Sequence, residues 1–572
     1  MNATDLAKLR LPETTVEKYG RLGWPASLAG AVVVIAGALM SWSFNQQVLG
    51  NLSIYLNPGA LQILTIVVAL VAMVLLFSVR GPLASRLGPW LDTTRGLRTA
   101  GTALLLYMII VLFAIGIDGN GLVNVDPGGW VSFLGALLLF AGSRLLPDRV
   151  GLQDMEQAKL PSWFEILVIA ITMAAILFGA AYALGLEDAW SFVLFLLFAA
   201  TIAAVALRVG VLSWFGHIAT RNRKVLTLAA FLVAFLFPFT QNGSDANMSI
   251  ATQVLIFAAT AMSLNIVVGL AGLLDLGYIA FLGSGAYVSA MLSGSAFATI
   301  HWKPPFLVVV LIGATVAMTL GLIIGSPTLR VSGDYLAIVT LGFGEIFRLT
   351  MFNLDGINGP LLSNGPNGIP AIPDLTIGSF NFGDEHTLLG IPLGRFSNYY
   401  FLLLVLIAFV IVVFARLNNS RIGRGWVSVR EDEKAAEAMG VNVFGLKLLA
   451  FAIGAFLAGL AGTIKAHQDV AVSPDQYIFL ESAFLLAAIV LGGMGTIAGV
   501  LLGATILKLL PEKLRFFSEY RLLFFGLLLV VMMRFRPEGL VANRRRLLEF
   551  HEEDEELAVA VEQEHLTVEE AI

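Results

Sequence analysis

Apolar runs of about twenty residues recur along the whole chain, broken by short polar stretches. Candidate spans are 24–44, 60–79, 100–117, 129–146, 163–185, 189–207, 225–240, 250–270, 276–293, 306–326, 334–352, 398–415, 446–468, 482–510 and 520–535. A run of that length crosses a hydrocarbon core of about 30 Å as a helix. The short alternating segments of a β-barrel are absent from the sequence. The pattern therefore predicts an all-α, polytopic membrane protein with about 15–16 membrane segments. The first run follows two dozen mostly polar residues, contains Trp24 and Trp42, and lacks a small-residue cleavage site, so it reads as a retained span.

Charge orients the spans. Basic residues collect at Lys8, Arg10, Lys18 and Arg21, at Arg80, Arg86, Arg95 and Arg98, and at Arg144, Arg149 and Lys159. They collect again at Arg208, Arg221, Arg223 and Lys224, and within 416–447. Loops 45–59, 118–128 and 241–249 have none, and 353–397 has only Arg395. By the positive-inside rule the N-terminus and 416–447 face the cytoplasm. Three runs then remain, an odd number, yet Arg534, Arg536, Arg544, Arg545 and Arg546 argue that the C-terminus is also inside. The conflict resolves if 482–510, interrupted by Gly492, Gly493 and Gly495, crosses as two short helices or enters and returns. Such breaks are tolerated only where protein or water surrounds them, which makes these glycines candidates for the path.

Composition agrees: 58% of the 572 residues are apolar and 13% charged, with mean hydropathy +0.84. A soluble fold of that character could not cover its surface. Residues 1–223 hold six plain spans. Residues 224–548 hold the rest, with more glycine and several polar groups inside spans. The tail 549–572 carries ten acidic residues and no Lys or Arg, and reads as a solvated, flexible segment.

No phosphate-binding glycine loop and no H-E-x-x-H motif is present, and there is no cysteine. The sequence offers no catalytic cluster, so the chain does not read as an enzyme. Gly495, Gly499 and Gly503 form a ladder that suits either close helix packing or a moving contact, and Gly454, Gly459 and Gly462 are similar. Among intramembrane polar groups, Asn265, Asp275, Glu345 and Arg348 must each face a partner or a wet cavity. Glu345 and Arg348 are spaced to pair, either as a structural ion pair or in contact with substrate. Asp275 suits the same path or a loop near the membrane surface. The turn-rich stretch 364–370 suits a connector or a docking surface for an external partner.

The stretch 416–447 is a polar island of six basic and four acidic residues between two apolar runs. Strong helix formers from Glu431 to Met439, followed by Gly440, predict one short amphipathic helix against the membrane face. A pore needs no such element, whereas a transporter pushed by a soluble partner does.

Segments 263–285, 333–348, 420–440, 490–499 and 534–540 resemble the branched-chain amino-acid ABC transporter permeases of the LivM type. The resemblance covers about 225–540 and makes 1–223 an N-terminal extension. It implies an importer of Leu, Ile or Val in the bacterial inner membrane, with both termini cytoplasmic. A periplasmic binding protein delivers substrate, a sister permease of the LivH type completes the path, and two cytoplasmic ATPase subunits use ATP; this chain itself holds no cofactor. The island is then the coupling loop, with Glu431, Glu433, Lys434, Ala435, Ala436, Glu437 and Gly440 meeting the ATPase. Lys434 stands where the family pattern has a leading glutamate. Relatives that carry urea or short amides share the fold, and an ion-coupled secondary transporter is the competing class, although it needs no island.

Overall fold

The computed structural model describes residues 13–541, apart from 46–48, 82, 86–89, 148–160, 187, 242, 301, 329–333, 389, 514–520 and 536–537. The acidic tail, Lys8, Arg10, Arg86, Arg149, Lys159, Arg536 and Arg544–Arg546 lie outside the described residues. Among the described residues, thirteen helical stretches are long and apolar enough to cross a membrane, Pro474–Gly492 being one of them. Three of the expected segments are shorter helices: Ile279–Met291, Ile497–Lys513 and Arg521–Phe535. The chain forms two compact units, divided after Gln241, with 513–516 grouped with the first.

The first unit contains α1 (Glu13–Ala38), α2 (Ala60–Val79), α3 (Thr93–Asp118), α4 (Pro127–Leu145), α5 (Ser162–Gly185), α6 (Ala189–Val209), α7 (Val211–Arg221) and α8 (Arg223–Leu236). Its tightest contact is between α1 and α4. Glycines seven apart, Gly23, Gly30 and Gly37, face Gly142, Gly135 and Gly128 in antiparallel order. A Cβ on Gly30 would lie 2.5 Å from Leu139 N, and one on Gly135 2.6 Å from Val34 N, so the backbones meet directly. Polar groups in this unit serve packing. Gln62 accepts from Gly59 N–H at 2.7 Å and donates to the Met40 carbonyl at 2.8 Å. Buried Glu165 on α5 accepts from Asn222 at 2.7 Å and Arg221 at 3.3 Å, where α7 turns into α8. The span 225–240 therefore stands with α5 and does not open the next unit.

The second unit begins with α9 (Asp245–Asn265), which runs into a π-helical turn (Ile266–Leu270) and an unwound segment, 271–278. Then come α10 (Ile279–Met291), α11 (Phe306–Thr328) and α12 (Asp334–Asn353). Two small antiparallel hairpins follow, β1 (Thr376–Ile377) with β2 (Phe380–Asn381) and β3 (His386–Leu388) with β4 (Ile391–Leu393). The remaining helices are α13 (Arg395–Asn418), α14 (Arg421–Glu431), α15 (Glu433–Ala438), α16 (Val443–Asp469), α17 (Phe479–Gly492), α18 (Ile497–Lys513) and α19 (Arg521–Phe535). Close glycine contacts bring α10, α11 and α16 together: Gly459 packs on Gly285 and on Ala314 of α11.

The run 482–510 is two helices, α17 and α18, folded back on each other. Cβ atoms on Gly499 and Gly503 would overlap the carbonyls of Gly492 and Ala488, so the glycine ladder is the seam of this hairpin. The α-helical parts of the two arms, 14 and 17 residues, span about 21 and 25 Å, and the first reaches membrane-spanning length only together with the short helical turn 474–477. Gly493 and Gly495, at φ +119° and +76°, make the turn. Leu540 and Val541, beyond α19, donate backbone bonds of 2.9 Å to Leu491 and Gly492. The hairpin turn and the segment after α19 thus share one end of the unit.

The opposite end is locked by Arg395, which bonds Asp374 at 2.6 Å and the carbonyls of His467 and Gln468 at 2.8 and 3.1 Å. Ile369 pairs with Val472 there. In the turn-rich stretch 364–370, Asn364, Gly365 and Gly368 adopt positive φ.

Candidate functional site

Within the island, the Ser420 hydroxyl caps α14 by accepting from Gly423 N–H. Asp432 then breaks the helix at φ −153° and caps α15 by accepting from Lys434 and Ala435 N–H. One helix over 431–439 is therefore incorrect. Glu431 ends α14, and α15 is six residues long, because the Asp432 carboxylate competes for the amides that a continuous helix would use. Gly440, at φ +82°, ends α15, and Val441 N–H reaches the Ala436 carbonyl at 3.1 Å.

Two contacts hold this pair of helices to α16. Trp426 is fully buried and its indole N–H donates to the Leu446 carbonyl at 2.7 Å. Lys447 is buried and its ammonium meets Glu433 at 2.6 Å. Ala436 turns inward, while Lys434, Ala435, Glu437 and Met439 point away from the chain. Met439 is 84% exposed, an unusual position for a large apolar side chain beside so many charges.

Above the island lies a junction of broken elements. Asn265, fully buried, accepts from Gly495 N–H at 2.9 Å and its amide donates to the Thr496 carbonyl at 3.4 Å. The π-turn at the end of α9 is thereby tied to the turn between α17 and α18. Gly269 has no room for a side chain: a Cβ would overlap Asn265 Oδ1 and lie 2.6 Å from Gly495 N. Gly493 packs in the same way on Gly539.

The unwound segment that follows is buried, and its amides find partners from several directions. Leu273 N–H donates to the Val267 carbonyl at 3.0 Å, Leu276 N–H to Thr340 Oγ1 at 3.1 Å, Gly277 N–H to Asp275 Oδ1 at 2.9 Å and Ile279 N–H to Ser482 Oγ at 3.0 Å. Backbone without helical bonds survives at membrane depth only when satisfied in this way. Asp275 belongs to this buried segment and is 1% exposed; its second oxygen has no hydrogen-bond partner among the described residues.

Glu345 and Arg348 do not join the junction. They pair on α12 through bonds of 2.5–3.1 Å, and Asp475 lies 3.8 Å from Arg348. The pair is half-exposed on the helix face that also shows Tyr335, Ile338, Ile346 and Leu349, and Gly342 on α12 faces open space. The candidates thus fall into four places: the island, the junction of Asn265 with Gly492, Gly493 and Gly495, the buried unwound segment with Asp275, and the ion cluster of Glu345 and Arg348. Sequence reasoning missed Thr340, Ser482 and Lys447, none of which is distinctive in a linear reading. It also passed over Arg430, one of several island charges, although that residue reaches from the island to the π-turn at Gly269. Asp432 did carry a signal, as an acidic cap before an alanine-rich turn.

The branched-chain amino acid transport system / permease component family matches residues 247–533, half of the chain. The permease protein LivM of the high-affinity branched-chain amino acid transport system of Salmonella typhimurium is 38% identical over 338 residues, 57% of this chain and 76% of its own length. Its counterpart in Escherichia coli strain K12 is 39% identical with the same coverage. The LivH permease of that strain is 30% identical over 130 residues, 22% of this chain and 42% of its own length. No solved structure matches. With its helical bundle, broken-helix junction and polar island, the chain belongs to the family of branched-chain amino-acid transport permeases.

Proposed function

We propose that this chain is one of two membrane subunits of an ATP-driven importer for Leu, Ile and Val, paired with a LivH-type sister permease. It takes substrate from an external binding protein and is driven by cytoplasmic ATPase subunits that meet the island. The observation that carries this reading is the island itself. Two capped helices are pinned to α16 by Trp426 and by the Glu433–Lys447 pair, and they turn Met439, Lys434, Ala435 and Glu437 outward. A contact patch of this kind has no use without a soluble partner. Ala436, being buried, supports the patch from behind.

The charge pattern supports a plasma-membrane protein with the island and both termini in the cytoplasm. The loop 353–394, locked by Arg395 at the far end from the hairpin turn, suits the binding protein. The α12 face carries Glu345 and Arg348 partly exposed, with exposed Asp475 of the turn 474–477 beside them, which is costly against lipid, so it suits the translocation path beside the sister permease. Residues 1–223, with α8, act as a peripheral layer outside the path.

Uptake by the reconstituted complex tests the reading. Leucine accumulation should require ATP and the ATPase subunits, and the binding protein should be stabilised against heat by Leu, Ile or Val. Uptake driven by an ion gradient without ATP would reject the mechanism, and stabilisation by urea alone would reject the substrate.

A further inference from the structure

Arg430 is the last residue but one of α14, with its side chain 17% exposed. Its Nη1 donates to the Gly269 carbonyl at 3.0 Å, in the π-turn 161 residues earlier in the chain. Its Nη2 meets Glu431 at 2.6 Å, which holds the guanidinium in place. Its aliphatic stem fills the space that a side chain at Gly272 would need: a Cβ there would lie 3.0 Å from Arg430 Cβ and overlap Cγ. Gly272 is itself at φ +71°, so this position is set to receive the arginine stem. One side chain therefore grips the broken path helix at two points three residues apart. Gly269 in turn touches both Asn265 and Gly495.

We propose that Arg430 is the positioning residue that transmits movement of the island to the Asn265–Gly495 junction. The inference rests on the island being the ATPase-facing element. A helix-end arginine that only capped a neighbouring carbonyl would contribute to stability alone. Here the donor belongs to the island and the acceptor to the π-turn, directly before the chain unwinds. Displacing α14 pulls on Gly269 without breaking regular helix, and the Asn265 clamp carries the pull to the hairpin turn. The planar guanidinium, held by Glu431, suits this better than a flexible ammonium.

The test uses the full transporter, with sister permease, ATPase and binding protein, in proteoliposomes. Arg430→Met keeps the stem and removes the donor. Its complex should still co-purify with the ATPase and hydrolyse ATP, while leucine moved per ATP falls about tenfold, within the usual range of coupling between sites. Amides of 266–272 should exchange faster. Arg430→Lys, which keeps a charged donor, should recover part of the ratio. If the Arg430→Met chain fails to fold and insert, Arg430→Gln reads the same ratio with a shorter, neutral donor. An unchanged leucine-to-ATP ratio would overturn the proposal, as would loss of the ATPase from the complex, which would move Arg430 to the docking surface. Wild-type uptake indifferent to ATP would overturn the underlying reading of the island instead.

Discussion

Asn265 and Gly495, 230 residues apart, are joined by a 2.9 Å hydrogen bond from the glycine amide to the asparagine carbonyl oxygen. Asn265→Leu would leave that amide buried without a partner, while the Thr496 carbonyl keeps its bond from Val500 N–H. An orphaned buried group costs about 1–3 kcal/mol, so the purified protein should melt several degrees lower. Asn265→Asp keeps the acceptor but loses the donor to Thr496 and adds a buried charge, and should fare no better. An unchanged melting temperature in Asn265→Leu would show that the two breaks are held by other contacts.

The α17–α18 seam makes a contrast within one region. Gly503→Val would push into the Ala488 carbonyl and lie close to Gly492 N, and overpacking of this kind costs about 1–3 kcal/mol. Gly526→Ala on α19 meets nothing within 4 Å among the described residues and should be silent. Folded yield by size-exclusion chromatography should separate the two variants, and equal yields would count against the seam.

On the island, support and contact should part company. Glu433→Ala removes the partner of buried Lys447 and should cost about 1–2 kcal/mol, less than a fully buried pair because Glu433 is half-exposed. Met439→Ser touches no packing and should leave the melting temperature unchanged. Capture of the ATPase should nonetheless fall in Met439→Ser. Full capture in that variant would move the contact elsewhere on the island.

In the first unit, Gly135→Val would drive α1 and α4 apart and should lower expression sharply. A truncation that starts after Gln241, so that α8 leaves with α5, should yield less protein but retain leucine uptake per assembled complex. An assembled truncation without uptake would give the first unit a role in the path.

Much of this was legible in the chain. Apolar length located nearly every span, and Gly492, Gly493 and Gly495 marked the hairpin turn because a bilayer segment has few other reasons to hold three glycines so close. The π-turn was invisible, since Ile266 to Leu270 simply continue an apolar run. Its partners Thr340 and Ser482 were invisible for a different reason: a hydroxyl in a transmembrane helix usually bonds its own backbone, and only the fold turns one toward a distant amide. Asn265 stood out as an uncharged polar group deep in a span, but the identity of its partner depended on a contact across most of the second unit.

The unwound segment also sets an order of events during synthesis. Residues 271–278 are made well before the groups that complete their bonding. Leu276 waits for Thr340, 64 residues later, and Ile279 for Ser482, 203 residues later. A nascent chain that emerges from its N-terminus first therefore holds open amides at this point until α17 has been translated. The early helices of the second unit must wait in a wet or chaperoned setting, and a ribosome stalled before residue 482 would expose a chain that the membrane cannot yet accept as finished.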